Sequence, residues 1–114
     1  MCPLVKSIYV VDDGSSKAVK TGIEAIPRSD TRTQLLLNDA CRGAAYCRNQ
    51  GASRAETNWL LFLDDDDQLS QGYLAAMRPL VAAHPEVQVW IPNVQKEKSR
   101  MQSTVPLEDV SVRN

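Results

Sequence analysis

Five consecutive apolar residues, Trp59-Leu60-Leu61-Phe62-Leu63, run without a break into four consecutive aspartates, Asp64 to Asp67. So short an apolar run has no polar face to turn toward water, so it reads as a strand buried on both faces. Strands of that kind belong to sheets with helices packed against either side. Three other segments have strand character. Val5 to Val11 is rich in β-branched and aromatic residues, Thr33 to Leu37 is mostly apolar, and Val87 to Ile91 precedes Pro92. Helical patterns fill the spaces between them. Lys17 to about Ala25 can be capped by Ser15 or Ser16 and is stopped by Pro27. Arg42 to Arg54 carries small and apolar residues at Ala44, Ala45, Cys47, Gly51 and Ala52, with Ala55 just beyond, which form a face for close packing on a sheet. Leu69, Tyr73, Leu74, Met77, Leu80 and Val81 recur at helical spacing and predict a helix from about Ser70 to Ala83, with Pro79 inside it. Strands alternating with helices imply right-handed crossovers. The expected fold is therefore α/β, a mostly parallel sheet with helices on both faces. Residues 1–94 would form the domain, and 95–114 a polar loop and tail.

Composition narrows the function classes. With 114 residues, 43% apolar and 24% charged, the chain has room for one domain with a modest core. Its formal net charge of −1 argues against a nucleic-acid binder, which draws affinity from a positive surface. No apolar run approaches the roughly 18 residues of a membrane span. The start, Met1-Cys2-Pro3-Leu4-Val5-Lys6, lacks the apolar core of a signal peptide, so a cytoplasmic location is expected. Cys2, Cys41 and Cys47 are odd in number and lack metal-site spacing, and they read as plain thiols. On a helix, Cys41 and Cys47 would lie on different faces. His84 is the single histidine, which excludes a two-histidine metal site. It reads as a residue of the last turn of a helix, where imidazole suits the dipole.

Both acidic clusters follow strands: Asp12-Asp13 the first, Asp64 to Asp67 the third. In a parallel sheet both would lie on the edge where ligands bind, beyond the carboxyl ends of the strands. While the chain is extended, Asp64 and Asp66 point one way, Asp65 and Asp67 the other. Two carboxylates so placed can bracket Mg²⁺ or Mn²⁺, which completes its shell with water and substrate phosphates. The competing reading is a solvated acidic turn leading into a helix. An EF-hand is excluded, because the sixth position counted from Asp64 is Leu69 and not glycine. For Asp12-Asp13-Gly14-Ser15, a haloacid-dehalogenase nucleophile motif would need aspartate where Val11 stands, and no phosphate-binding Gly-Lys-Ser/Thr loop is present. Read alone, this segment is a polar turn with Gly14 in the left-handed region.

Together the segments resemble a known family. Val10-Val11-Asp12-Asp13-Gly14-Ser15 is similar to the V-D-D-G-S signature of family 2 glycosyltransferases, which have the GT-A fold with its Rossmann-like nucleotide-binding domain. Gly43, Arg48, Asn49 and Gly51 resemble the family's N-x-G-x-x-x-A-R-N-x-G segment, with Cys41 in place of its first asparagine and Cys47 in place of its alanine. Trp59 to Asp67 resembles the hydrophobic strand ending in D-x-D-D. The resemblance implies a nucleotide-sugar donor, UDP-sugar first among them, and a sugar acceptor. It implies that Asp13, with Asp12, contacts the nucleotide. Asp64 and Asp66, with Asp67 in a secondary role, would hold Mn²⁺ or Mg²⁺. Asp65 falls at the variable position and is a candidate for touching the nucleotide. Arg48 would approach the phosphates or pair with the aspartates.

The departures bear on activity. The family opens with a strand and helix ahead of the V-D-D-G-S strand, and that strand lies at the sheet centre. Here only Met1 to Leu4 precede Val5. The family also carries an acceptor-binding half with a catalytic base, and Glu97, Glu108 and Asp109 occur in no context that marks such a base. A truncated domain is therefore expected. Its first and third strands would pair directly, or a second copy would fill the gap, since an open strand edge invites pairing. The alternatives to a sugar-transferring enzyme are a non-catalytic relic with a weak nucleotide or metal site, and an interaction module that binds neither.

Overall fold

The computed structural model of the chain describes residues 4–26 and 30–94, and the backbone of 110–112. Its elements run β1 (Ile8–Asp12), α1 (Lys17–Ala25), β2 (Thr33–Leu37), α2 (Ala44–Arg54), α3 (Tyr73–Ala83), β3 (Trp90–Pro92) and β4 (Val110–Val112). The fold is α/β, as the alternating pattern implies. The chain divides into two compact units, 1–63 and 64–114.

In the first unit β1 pairs with β2 in parallel, Ile8 opposite Thr33 through Asp12 opposite Leu37. The Asn38 N–H donates to Asp12 O at 3.0 Å and carries the ladder one step further. The crossover helix α1 starts at Ser16, whose hydroxyl accepts the Val19 N–H at 3.4 Å. Of the two serines that could cap this helix, the second does so. At the other end of the strands Arg32 pairs with Asp30 at 2.6 Å and donates to Val5 O.

Helix α2 packs on β1 at Gly51, while Ala44 and Ala45 of the expected small-residue face are exposed. A Cβ added at Gly51 would meet Val11 Cγ2 at 3.6 Å and Tyr9 Cβ at 3.8 Å, which is ordinary contact distance. Polar bonds fix the helix along its length. The Tyr9 hydroxyl donates to Arg54 O at 2.9 Å. The Asn38 and Gln50 amides exchange two bonds of 3.0 Å, and the Lys20 ammonium donates to Asn38 O.

The apolar run Trp59–Leu63 does not become a strand. Among the described residues it joins neither sheet, and its residues are 44–54% exposed. The expectation of a third strand, buried on both faces, is corrected here. Periodicity reports what a segment needs to bury, but a strand also needs neighbours to bond its amides and carbonyls. Among the described residues none supplies that ladder. Consequently the two acidic clusters do not end strands of one sheet.

In the second unit α3 begins at Tyr73 and not near Ser70, because Gly72 holds a left-handed φ of +80° ahead of it. The helix continues through Pro79. Met77 and Val87 are buried, and His84 caps the helix with its N–H on Leu80 O. Its ring lies 3.2 Å from the Glu86 carboxylate and edge-on to Trp90. The last expected strand is confined to β3, since the Val87 N–H turns back to His84 O. β3 pairs antiparallel with β4, Trp90 opposite Val112. Residues 110–112, expected within a polar tail, thus form a strand. The expectations for Cys2, Pro27 and the remainder of 95–114 lie outside the described residues.

Gly14 is the tightest point of the first unit. Its φ is +77°, and a Cβ there would lie 2.4 Å from Cys41 N and 2.5 Å from Ala40 C. Both obstacles are backbone, so neither can swing aside. Gly14→Ala combines a left-handed non-glycine residue with overpacking and is expected to destabilise the chain by about 2–4 kcal/mol. Chemical denaturation should show a lower midpoint for it than for Gly22→Ala, since a Cβ at Gly22 meets nothing within 4 Å.

Candidate functional site

Asp12 ends β1 and Asp13 follows it into the turn at Gly14, but their carboxylates serve different partners. Asp12 is 7% exposed, and its Oδ2 accepts the Ser15 N–H at 3.0 Å. The Ser15 side chain is the main influence holding its carboxyl below the ordinary 3.8, and Lys20 contributes. Asp12 thus closes its own turn.

Asp13 reaches across the fold to the start of α2. Its Oδ1 accepts the Arg42 N–H at 2.6 Å, and its Oδ2 accepts the Gly43 N–H at 3.0 Å and the Cys41 thiol at 3.2 Å. Gly43 is the N-cap of α2, has no side chain to cap with, and is followed by no acidic residue in the first turn. Asp13 supplies the missing cap from another element, placing an anion where the helix dipole favours one. The Arg42 amide above all, then the Cys41 thiol, lowers its pKa to about 2.

Cys47, buried in α2, lies against the same carboxylate; burial first, then Asp13, pushes its thiol pKa up. Both thiols are free. The two residues do not share a helix on which to take separate faces. Cys41 precedes the helix and does not lie on it, so a spacing of six residues leaves both near one group. The sequence reading also gave Cys41 no part in the site. The available signal was the replacement of the family's asparagine and alanine by two thiols.

The second cluster opens the second unit. The Asp67 N–H donates to Asp64 O at 3.1 Å, so 64–67 form a reverse turn. The strand-like alternation of Asp64 and Asp66 against Asp65 and Asp67 does not apply to a turn. Instead one carboxylate oxygen from each of Asp64, Asp66 and Asp67 lies within 4.8 Å of the others, all on exposed residues, and Asp65 is outside the group. Hard oxygen donors at this spacing fit Mg²⁺ or Mn²⁺, which prefer carboxylate and water ligands. Arg48 is exposed on α2.

Comparison with known proteins agrees with this fold. The chain belongs to the family described as glycosyl transferase family 2, whose profile matches residues 3–108. Its parallel β1–β2 pair and three helices are those of a partial GT-A, Rossmann-like domain. One relative is the GalNAc(5)-diNAcBac-PP-undecaprenol beta-1,3-glucosyltransferase of Campylobacter jejuni, 34% identical over 71 residues, covering 61% of this chain and 23% of the relative. Another is the UDP-Glc:alpha-D-GlcNAc-diphosphoundecaprenol beta-1,3-glucosyltransferase WfgD of Escherichia coli, 38% identical over 60 residues, covering 53% of this chain and 23% of the relative. Each match thus spans less than a quarter of the relative's length. No solved structure matches the chain. Among the described residues no helix is long and apolar enough to cross a membrane.

The Asp13 contacts make an acid-stability prediction. A carboxyl whose folded pKa lies below its unfolded value stabilises the fold above the unfolded pKa, and that contribution is lost as pH falls through the folded one. For Asp13 the window runs from 3.8 down to about 2. Thermal melts of wild type and Asp13→Asn should differ most above about pH 5 and converge as pH approaches about 2. A constant gap in Tm across that range would contradict the assignment.

Proposed function

We propose that the chain is the donor-binding portion of a glycosyltransferase that takes a nucleotide-diphosphate sugar together with a divalent cation. Membership of glycosyl transferase family 2 carries this reading, and the grouping of Asp64, Asp66 and Asp67 supports it. In this reading residues 1–94 form the donor-binding domain. Asp64, Asp66 and Asp67 hold Mn²⁺ or Mg²⁺, and Asp12, Asp13, Arg48 and Asp65 serve the nucleotide and its phosphates. The cation neutralises charge on the departing nucleoside diphosphate. The chain's own part is to present carboxylates to the cation and to hold Asp13 ionised as a hydrogen-bond acceptor. The names of the two relatives favour UDP-glucose as donor and an undecaprenyl-diphosphate-linked sugar as acceptor. A cytoplasmic location goes with such a donor.

Calorimetry with UDP-glucose and Mn²⁺ tests the reading. Heat that requires both partners is expected, and none with or without the metal would reject it. Asp64→Ala and Asp66→Ala should each weaken metal-dependent binding about tenfold or more, a loss typical of a charged contact. Asp65→Ala should weaken it less than either, since Asp65 lies outside the group of three carboxylates. Equal losses at all three positions would reject the assignment of ligands.

The exposed run Trp59–Leu63 favours a second reading, in which the chain is a non-catalytic relic or interaction module and self-associates to cover that run. Light scattering over a concentration series should then show a dimer or larger species that Leu61→Asp reduces. A monomer at every concentration would sink this reading, and binding of UDP-glucose without transfer would favour the relic.

A further inference from the structure

Asp13 is unusual in the kind of group that holds it. Backbone amides from Arg42 and Gly43 are a common means of fixing a carboxylate, but here a thiol from Cys41 joins them on Oδ2 at 3.2 Å. The segment that carries this thiol cannot drift away, because backbone atoms of Ala40 and Cys41 press against Gly14, the residue after Asp13. Asn38, just upstream, is tied to α2 by its two bonds with Gln50. Donor and acceptor are thus both held by backbone packing. Cys41 is exposed, so its thiol is not placed there by a need to bury it.

We propose that Cys41 is a positioning residue for Asp13, its S–H fixing the orientation in which the carboxylate is offered to a ligand. This rests on the nucleotide role given to Asp13 above, but the contact itself can be tested without that role. A thiol is a weak donor, yet one aimed at a charged acceptor from a fixed backbone is favoured more than a neutral pair. A serine hydroxyl at the same position donates likewise, whereas alanine does not.

The test is a carboxyl NMR titration of the full chain, with the Asp13 signal identified by its loss in Asp13→Asn. Wild type should titrate near 2. Cys41→Ala should move the midpoint up toward 3.8, and Cys41→Ser should keep it low. Cys47 is the other titratable side chain against this carboxylate, and Cys47→Ala controls for it. A Cys41→Ala midpoint equal to that of wild type would overturn the proposal, as would Cys41→Ser behaving like Cys41→Ala. Should Cys41→Ala fail to fold, methylation of the folded chain with methyl iodide in a Cys2→Ser background removes the same donor and adds none. The sulfur–carbon bond forms, iodide leaves and the thiol proton passes to solvent, so the midpoint should rise as in the alanine variant. Titration of UDP with Mn²⁺ then reads the consequence, an affinity about threefold weaker in Cys41→Ala and restored in Cys41→Ser. If wild type binds no UDP, the donor-binding reading fails while the NMR result still decides the role of Cys41.

Discussion

The first unit depends on one carboxylate. Asp13 ties the end of β1 to the start of α2, two elements about 30 residues apart, through two amides and a thiol. Without it the α2 terminus would have neither a capping side chain nor an acidic first turn. Gly14 makes the arrangement possible by letting the backbone of Ala40 and Cys41 approach closer than any Cβ would allow. The same charge that caps the helix is thereby held ionised at the carboxyl end of the β1–β2 pair. In an α/β sheet that is the edge where ligands bind. The nucleotide role proposed for Asp13 calls for the same fixed anion as the helix cap.

The second acidic cluster obeys different physics. Four adjacent carboxylates repel one another, and the 64–67 turn draws three of them together while all remain exposed to water. A hard cation would offset the repulsion that solvent now screens. Ahead of it, the Trp59–Leu63 run exposes about half of each side chain. The buried apolar residues among those described are Cys47, Met77 and Val87. So slight a core among the described residues goes with short strands and with a run that joins neither sheet there.

Much was legible in the residues themselves, and the reasons are local. Ser16 ahead of α1, the small residues of α2 and the β-branched run of β1 each act within a few positions. Their elements therefore fall close to where the pattern places them. Gly14 in the left-handed region follows from the same local chemistry. Where the outcome depended on a distant partner, the pattern misled. Trp59–Leu63 has the composition of a buried strand, yet composition cannot provide the ladder it would join. Asp64 to Asp67 read as alternating on a strand, but the Asp67-to-Asp64 bond closes a turn and groups Asp64, Asp66 and Asp67 instead.

By itself the sequence determined the β-α-β-α succession of the first unit, the family and which acidic residues are available for chemistry. Each of these depends on residue type and short-range spacing. Tertiary structure alone decided what the residues do for one another. It set Asp13 across the fold on Cys41, Arg42 and Gly43, and turned Asp12 inward to its own turn. It also paired β4 with β3 and left Trp59–Leu63 without a strand partner among the described residues. Hydrogen bonds and close packing between segments far apart in the chain depend on where the backbone travels, and that is a property of the whole fold.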